Sequence, residues 1–307
     1  MAIPVRDRPP TPRAPVVTYA LIAINVVVFL LGPVSGFGPR AATFEQQVCA
    51  EARYFRLHGA IPAELLTNRP LGHPSRVVGT DRGPVVCAPT DPGAKIPVRS
   101  ALFALFVHGG WLHLFGNLLF LYVFGAHVEN RMGRIRFTFF YLLTGCVATY
   151  GYAATAPDSV QPLVGASGAI AGVLGAYLWL FPRARVTSLV PALFFVPLRF
   201  PAWVVLGCYF GVQGLYLRGI GVEGDAVYAY AAHLVGFAVG FGYAWLRYRH
   251  RPAAPWRLSS GTLSSRAGGL PRDHRDRAGQ DARGPDPGDR GGDRRDRGRE
   301  RGLLGDR

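Results

Sequence analysis

Six stretches of the chain are apolar over lengths close to a bilayer crossing: Val16–Leu31, Trp111–Val128, Phe137–Thr155, Leu163–Phe181, Ala202–Leu217 and Ala226–Leu246. A spanning helix takes about 20 residues, within a range of about 17–25. The first and fifth stretches reach across only with their flanks. Val186–Leu198 is apolar too, but Pro191, Pro197 and Arg199 interrupt it. It reads as an interfacial hairpin leading into the fifth span, with a seventh span as the alternative. Residues 1–15 form an N-terminal arm, and about 32–100 a long loop between the first two spans. The pattern predicts an all-α polytopic membrane protein with six transmembrane helices over residues 16–250. Beyond His250 the chain is Arg/Gly/Asp/Pro low complexity that cannot build a core, so 251–307 reads as a disordered tail.

Composition agrees with a membrane protein. The chain is 49% hydrophobic and 17% charged, against about 25% charged in soluble domains. The formal charge of +15 resembles a nucleic-acid binder's until it is sorted by position. The tail holds 14 Arg and 9 acids, net +5, and residues 1–250 hold 20 basic and 10 acidic residues, net +10. No nucleic-acid partner is expected; the bilayer itself is.

Short loops set the orientation. Arg131, Arg134 and Arg136 follow the second span, Arg183 and Arg185 the fourth, and Arg247, Arg249 and Arg251 the sixth. The loop around Asp158 has no basic residue. The positive-inside rule then puts both termini in the cytoplasm of a multi-pass protein of the cell membrane. The long outer loop carries eight basic residues, against the rule but beyond its dependable loop length of about 60 residues. Val16–Leu31 reads as a retained span, since no Ala-x-Ala site follows it. Cys146 and Cys208 lie in spans as packing residues. Cys49 and Cys87 share the outer loop, where a disulfide is permitted but not dictated by sequence.

Polar groups inside spans are functional candidates by default. His113 and Asn117, four apart at the outer entry of the second span, share a helix face, and His108 lies just before it. Taken alone, a His/Asn pair is more often an interhelical hydrogen bond. Gly165-Ala-Ser167-Gly168-Ala169 opens the fourth span. Gly and Ser are ordinary packing residues there, but a Ser at a helix N-terminus sits among free backbone N–H groups. Ala169 excludes the hydrolase nucleophile elbow, which needs Gly at that place. His233 lies in the sixth span, with Gly236 and Gly240 forming a smooth face for close helix approach. If spans four and six meet there, His233 lies beside Ser167 and neutral imidazole can take its proton. Glu129, at the inner end of the second span, reads as a structural anchor pairing with Arg131 or with backbone donors.

Together these residues resemble the rhomboid intramembrane serine proteases over residues 16–247. The resemblance rests on His108, His113 and Asn117, on Glu129 and Gly133, on Gly165-x-Ser167-Gly168, and on Ala232-His233-x-x-Gly236-x-x-x-Gly240. It implies Ser167 as nucleophile, His233 as general base, and His113, Asn117 and the Ser167 N–H as oxyanion donors, with His108 and Gly165 in support. It also implies a basic six-helix core and transmembrane proteins as substrates, cut near the outer face. Val98-Arg99 replaces the family's frequent Trp-Arg, and Ala171 stands where some members carry an aromatic beneath the histidine.

No carboxylate lies beside Ser167 or His233 in the spans, which favours a Ser/His dyad over a triad. No metal or cofactor is expected: there is no His-Glu-x-x-His, and the spans lack the paired Asp of an aspartyl protease. The alternatives are a catalytically inactive rhomboid-like protein that binds membrane clients, and a small transporter, which would want mid-membrane charges and an inverted repeat.

Overall fold

The computed structural model describes residues 3–8, 13–38, 41–72, 74–89, 91, 93, 95–190, 196–218 and 226–250. The tail, Asp225 and Pro191 lie outside the described residues. Strand β1 (Ile3–Arg8) leads into α1 (Val16–Leu31). The outer loop then folds into α2 (Phe44–His58), α3 (Pro62–Thr67), a hairpin of β2 (Arg76–Thr80) and β3 (Gly83–Cys87), and α4 (Pro97–Phe103). Next come α5 (Trp111–Phe120), a wide π turn (Leu121–Gly125) and α6 (Ala126–Met132), which run as one continuous helix. The core closes with α7 (Arg134–Thr155), α8 (Ser167–Leu180), a hairpin of β4 (Arg185–Val190) and β5 (Val196–Pro201), α9 (Ala202–Leu217) and α10 (Ala226–Tyr248).

The helical ends fall close to the apolar pattern, with α1 and α9 matching it residue for residue. The fourth stretch differs: its helix starts at Ser167, four residues later than hydropathy suggests. Leu163 exchanges both backbone hydrogen bonds with Ala60, the Gly165 N–H donates to Ala104 O, and Gly165 sits at φ +117°. A left-handed backbone anchored on both sides cannot join a helix. Among the described residues one helix, Trp111–Met132, is long and apolar enough to cross a bilayer unaided; α1, α8 and α9 are apolar but shorter.

The fold is mostly helical but not wholly so. The apolar segment after α8 forms the expected hairpin, and β1 adds to it antiparallel, giving the strand order β1-β4-β5. Helix α8 is the centre of the domain, with eleven of its fourteen residues buried. It packs between α7 and α10 through small residues. A Cβ at Gly172 would come within 2.7 Å of Thr144, and one at Gly236 or Gly240 would strike the carbonyl oxygens of Gly168 or Gly172. Close backbone approach of this kind gains packing where no water-driven term holds helices together. The outward faces keep large apolar side chains exposed, including Leu112, Phe115, Phe139, Leu143, Trp203 and Leu246, which suits contact with lipid tails.

On α6, Glu129 is buried and accepts from the Val17 N–H (3.0 Å), the Thr18 N–H (2.8 Å) and the Thr18 hydroxyl (2.8 Å). Its carboxylate thus caps α1, whose own N-cap position is a proline; the positive helix end favours that charge. Backbone donors were one of the two expected kinds of partner, and two of them hold the carboxylate. Gly133 turns the chain from α6 into α7 at φ +83°, a conformation that disfavours any side chain.

Candidate active site

The α8–α10 contact brings the two predicted reacting groups together. His233 Nε2 lies 2.8 Å from Ser167 Oγ across 66 residues of sequence. The other ring nitrogen, Nδ1, lies 2.6 Å from Oε1 of Gln213 on α9. An amide oxygen only accepts, so Nδ1 carries the proton and Nε2 presents its lone pair to the Ser167 hydroxyl. The arrangement is a relay of amide, imidazole and hydroxyl, able to withdraw a proton from Ser167 as it attacks an electrophile.

Gln213 was not singled out from sequence, although the reasoning that raised His233 applies to it. It is a strongly polar side chain in the apolar run Cys208-Tyr-Phe-Gly-Val-Gln213, and it is almost fully buried. The place of the missing aromatic at Ala171 is taken differently. His233 is fixed by Gln213 and flanked edge-on by Tyr230, ring centres 6.1 Å apart.

The remaining candidates converge from α5. His113, Asn117, Ser167 and His233 line one cavity of about 340 Å³, walled also by Leu112, Phe120, Val164, Leu174 and Tyr209. A Cβ at Gly165 would fall 2.6 Å from His113 Nε2, so both the φ of Gly165 and the closeness of the imidazole demand glycine. The Asn117 amide donates to His113 O at 2.9 Å. His108 is buried behind, its Nδ1 3.3 Å from Phe106 O and its ring 5.2 Å from that of His113. Ser167 opens α8, whose ladder begins with Ile170 N–H to Ala166 O, so the N–H groups of the first turn point out of the helix beside the Ser hydroxyl. Gly236 and Gly240 act at one remove, by letting α10 reach α8. In the outer loop, Cys49 and Cys87 form a disulfide with Cα atoms 5.4 Å apart. Among the described residues no cluster of His, Cys, Asp and Glu could hold a metal ion.

Helices with apolar outer faces, joined through glycines around a half-buried hydroxyl–imidazole pair, suit a protein embedded in a membrane. Comparison with known proteins gives the family. The rhomboid domain model matches residues 98–250. Rhomboid protein 1, mitochondrial, of Saccharomyces cerevisiae is 32% identical over 152 residues, 48% of this chain and 41% of that protein. RHOMBOID-like protein 4 of Arabidopsis thaliana is 29% identical over 164 residues, 48% of this chain and 36% of the relative. The presenilin-associated rhomboid-like protein, mitochondrial, of Bos taurus is 28% identical over 164 residues, 52% and 41% of the two chains. The chain belongs to the rhomboid family. The chain spans less than half the length of each of these relatives, and the family model takes in every site residue from His108 to Gly240.

Proposed function

We propose that this chain is a serine-type intramembrane endopeptidase that cleaves other membrane proteins within or beside a transmembrane segment, near the outer face. The observation that carries this reading is the 2.8 Å contact between Ser167 Oγ and His233 Nε2, with the opposite nitrogen occupied by Gln213. Ser167 attacks the scissile carbonyl while His233 takes its proton and returns it to the leaving amine. His113, Asn117 and the Ser167 N–H surround the place where the oxyanion develops, with His108 bracing His113. Loss of one such donor costs on the order of 3 kcal/mol in a water-poor site. A water then releases the acyl group. The cavity reaches Leu163 and Val164, in the segment before α8 that pairs with Ala60 of the outer loop, and hydrolytic water would arrive from that side.

In the same reading, six helices span the cell membrane with both termini in the cytoplasm, and the substrate enters beside α9. Small residues at the cut and a readily unwound helix are preferred, because a helical backbone hides its carbonyls in its own hydrogen bonds. The test is cleavage of a transmembrane substrate by the purified protein beside Ser167→Ala and His233→Ala. Both variants should be inactive, and undiminished cleavage by either would sink the mechanism. A fluorophosphonate probe that labels the wild type but not Ser167→Ala separates this reading from a catalytically inactive client binder, which would take no label.

A further inference from the structure

Among the described residues, no basic residue of the outer loop lines the cavity of Ser167 and His233, and three of them converge elsewhere. Arg53 and Arg56 stand three apart on one face of α2. Arg76 begins β2 and pairs in register with Cys87, the residue bonded to Cys49 on α2. The disulfide therefore clamps the hairpin against α2 with Arg76 over the Arg53/Arg56 face. The three side chains line a cavity of about 480 Å³, together with Gln46 and a single carboxylate, Asp91. Asp91 already accepts from the Gly93 N–H at 2.8 Å.

Arg56 is the telling member. Only 8% of it is exposed, yet its Nη1 has no hydrogen-bond partner. The carboxylate of Glu64 is engaged by Lys95 at 2.6 Å. Burial and then the nearby Arg76 charge push the Arg56 guanidinium below its ordinary pKa, with Glu64 opposing them. A buried guanidinium nitrogen without an acceptor is costly unless something bonds to it.

We propose that this cavity binds a phosphate ester through Arg53, Arg56 and Arg76. Guanidinium forks match phosphate and carboxylate oxygens alike. Three forks exceed what one carboxylate can accept and suit the three free oxygens of a phosphomonoester. The cavity lies within the range of small-molecule sites, about 300–1,000 Å³, and leaves room for an organic substituent. A soluble monoester and the headgroup of phosphatidic acid carry the same chemistry. The proposal stands apart from the proteolytic reading, since no residue is shared.

Full-length protein in neutral detergent is titrated with glycerol 3-phosphate, and with sodium chloride at matched ionic strength, by calorimetry. Saturable binding is expected for the ester alone, weakened at least tenfold in Arg56→Gln. Because Arg56 is buried, Arg76→Gln at a half-exposed position provides a second variant, with a circular dichroism spectrum like the wild type and the same tenfold loss. Binding no tighter than that of chloride, or equal binding by wild type and Arg76→Gln, overturns the proposal. Nanodiscs separate the two sources. Weaker binding in phosphatidic acid discs than in equally anionic phosphatidylglycerol discs, whose phosphates are diesters, assigns the cavity to a lipid headgroup, and equal binding in both assigns it to a soluble ester.

Discussion

The helical core and the folded outer loop solve the problem of holding polar groups in place by opposite means. In the core, α8 and α10 meet where Gly175, Gly236 and Gly240 leave no room for a side chain between two backbones, and Gly168 and Gly172 let α7 close against α8. The Ser167–His233–Gln213 relay is then assembled from three helices by shape alone. In the outer loop, α2 and the short β2–β3 hairpin are held by other ties. The disulfide Cys49–Cys87 and the buried Lys95–Glu64 pair take over. Lys95 also donates to the carbonyls of Arg56 and Gly59, so one ammonium ties the end of α2 to α3. Close packing needs an environment that excludes water from all sides. Covalent and ionic ties serve where water reaches one face.

The largest expected effect tests whether the core's chemistry is separable from its architecture. Ser167→Ala should lower cleavage by about 10⁴-fold or more while leaving the thermal midpoint in detergent almost unchanged. Replacing both Cys49 and Cys87 by Ser should do the reverse. Cross-linking residues 38 apart stabilises by about 2–4 kcal/mol. Hydrogen exchange should therefore quicken in α2 and the hairpin, while α8 and α10 keep their protection. Loss of protection in both regions would show that the outer loop braces the core.

Gly240→Ala couples the two properties that Ser167→Ala separates. Its methyl meets the Gly172 carbonyl, so α10 must shift, at a cost of about 1–3 kcal/mol, and carry His233 away from Ser167. Thermal midpoint and cleavage should fall together. Gln213→Leu removes the partner of Nδ1. A hydrogen bond to a group that becomes charged contributes about 1.5–3 kcal/mol, so kcat should fall about ten- to hundredfold with KM little altered. Gln213→Glu, which still accepts, should recover much of the loss. A fall in KM or in folding without a change in kcat would make Gln213 a packing residue.

The smallest effect belongs to the outer loop and to pH. His58 ends α2, and burial followed by the Lys95 charge holds its pKa below the ordinary value of about 6.5. Between that lowered value and 6.5 the unfolded loop binds the proton more readily. The stability His58 contributes is therefore fully present above pH 6.5 and is lost as pH falls through the folded value. His58→Gln should flatten the acid-side rise in α2 exchange and leave the exchange of α8 untouched.

The core was largely legible because its chemistry contradicts its solvent. His233 among Leu, Val and Phe, and glycines spaced four apart, stand out in any apolar run and gave both the α8–α10 contact and the Ser167–His233 pair. Gln213 carries the same signal but escaped notice, since an uncharged amide is less conspicuous than an imidazole. Pairing of β1 with β4 had no sequence mark: Ile-Pro-Val-Arg-Asp-Arg shows neither clean alternation nor an apolar run. The late start of α8 depends on Ala60 and Ala104, more than sixty residues upstream, which no local pattern reports. In the outer loop the cysteines were visible as candidates, whereas the Lys95–Glu64 pair joins two charges that each look like ordinary surface residues.

The wide turn at Leu121–Gly125 gives the second long helix an internal phase setting. Its first half aims His113 and Asn117 at the cavity, and its second half aims Glu129 at the start of α1. Successive residues of a regular helix rotate by about 100°, so removing one residue from the turn would swing one half against the other by more than a quarter revolution. The helix tolerates change of composition at exposed Tyr122 far better than change of length. A single deletion there, touching no reacting group, would disconnect either the oxyanion donors or the α1 cap.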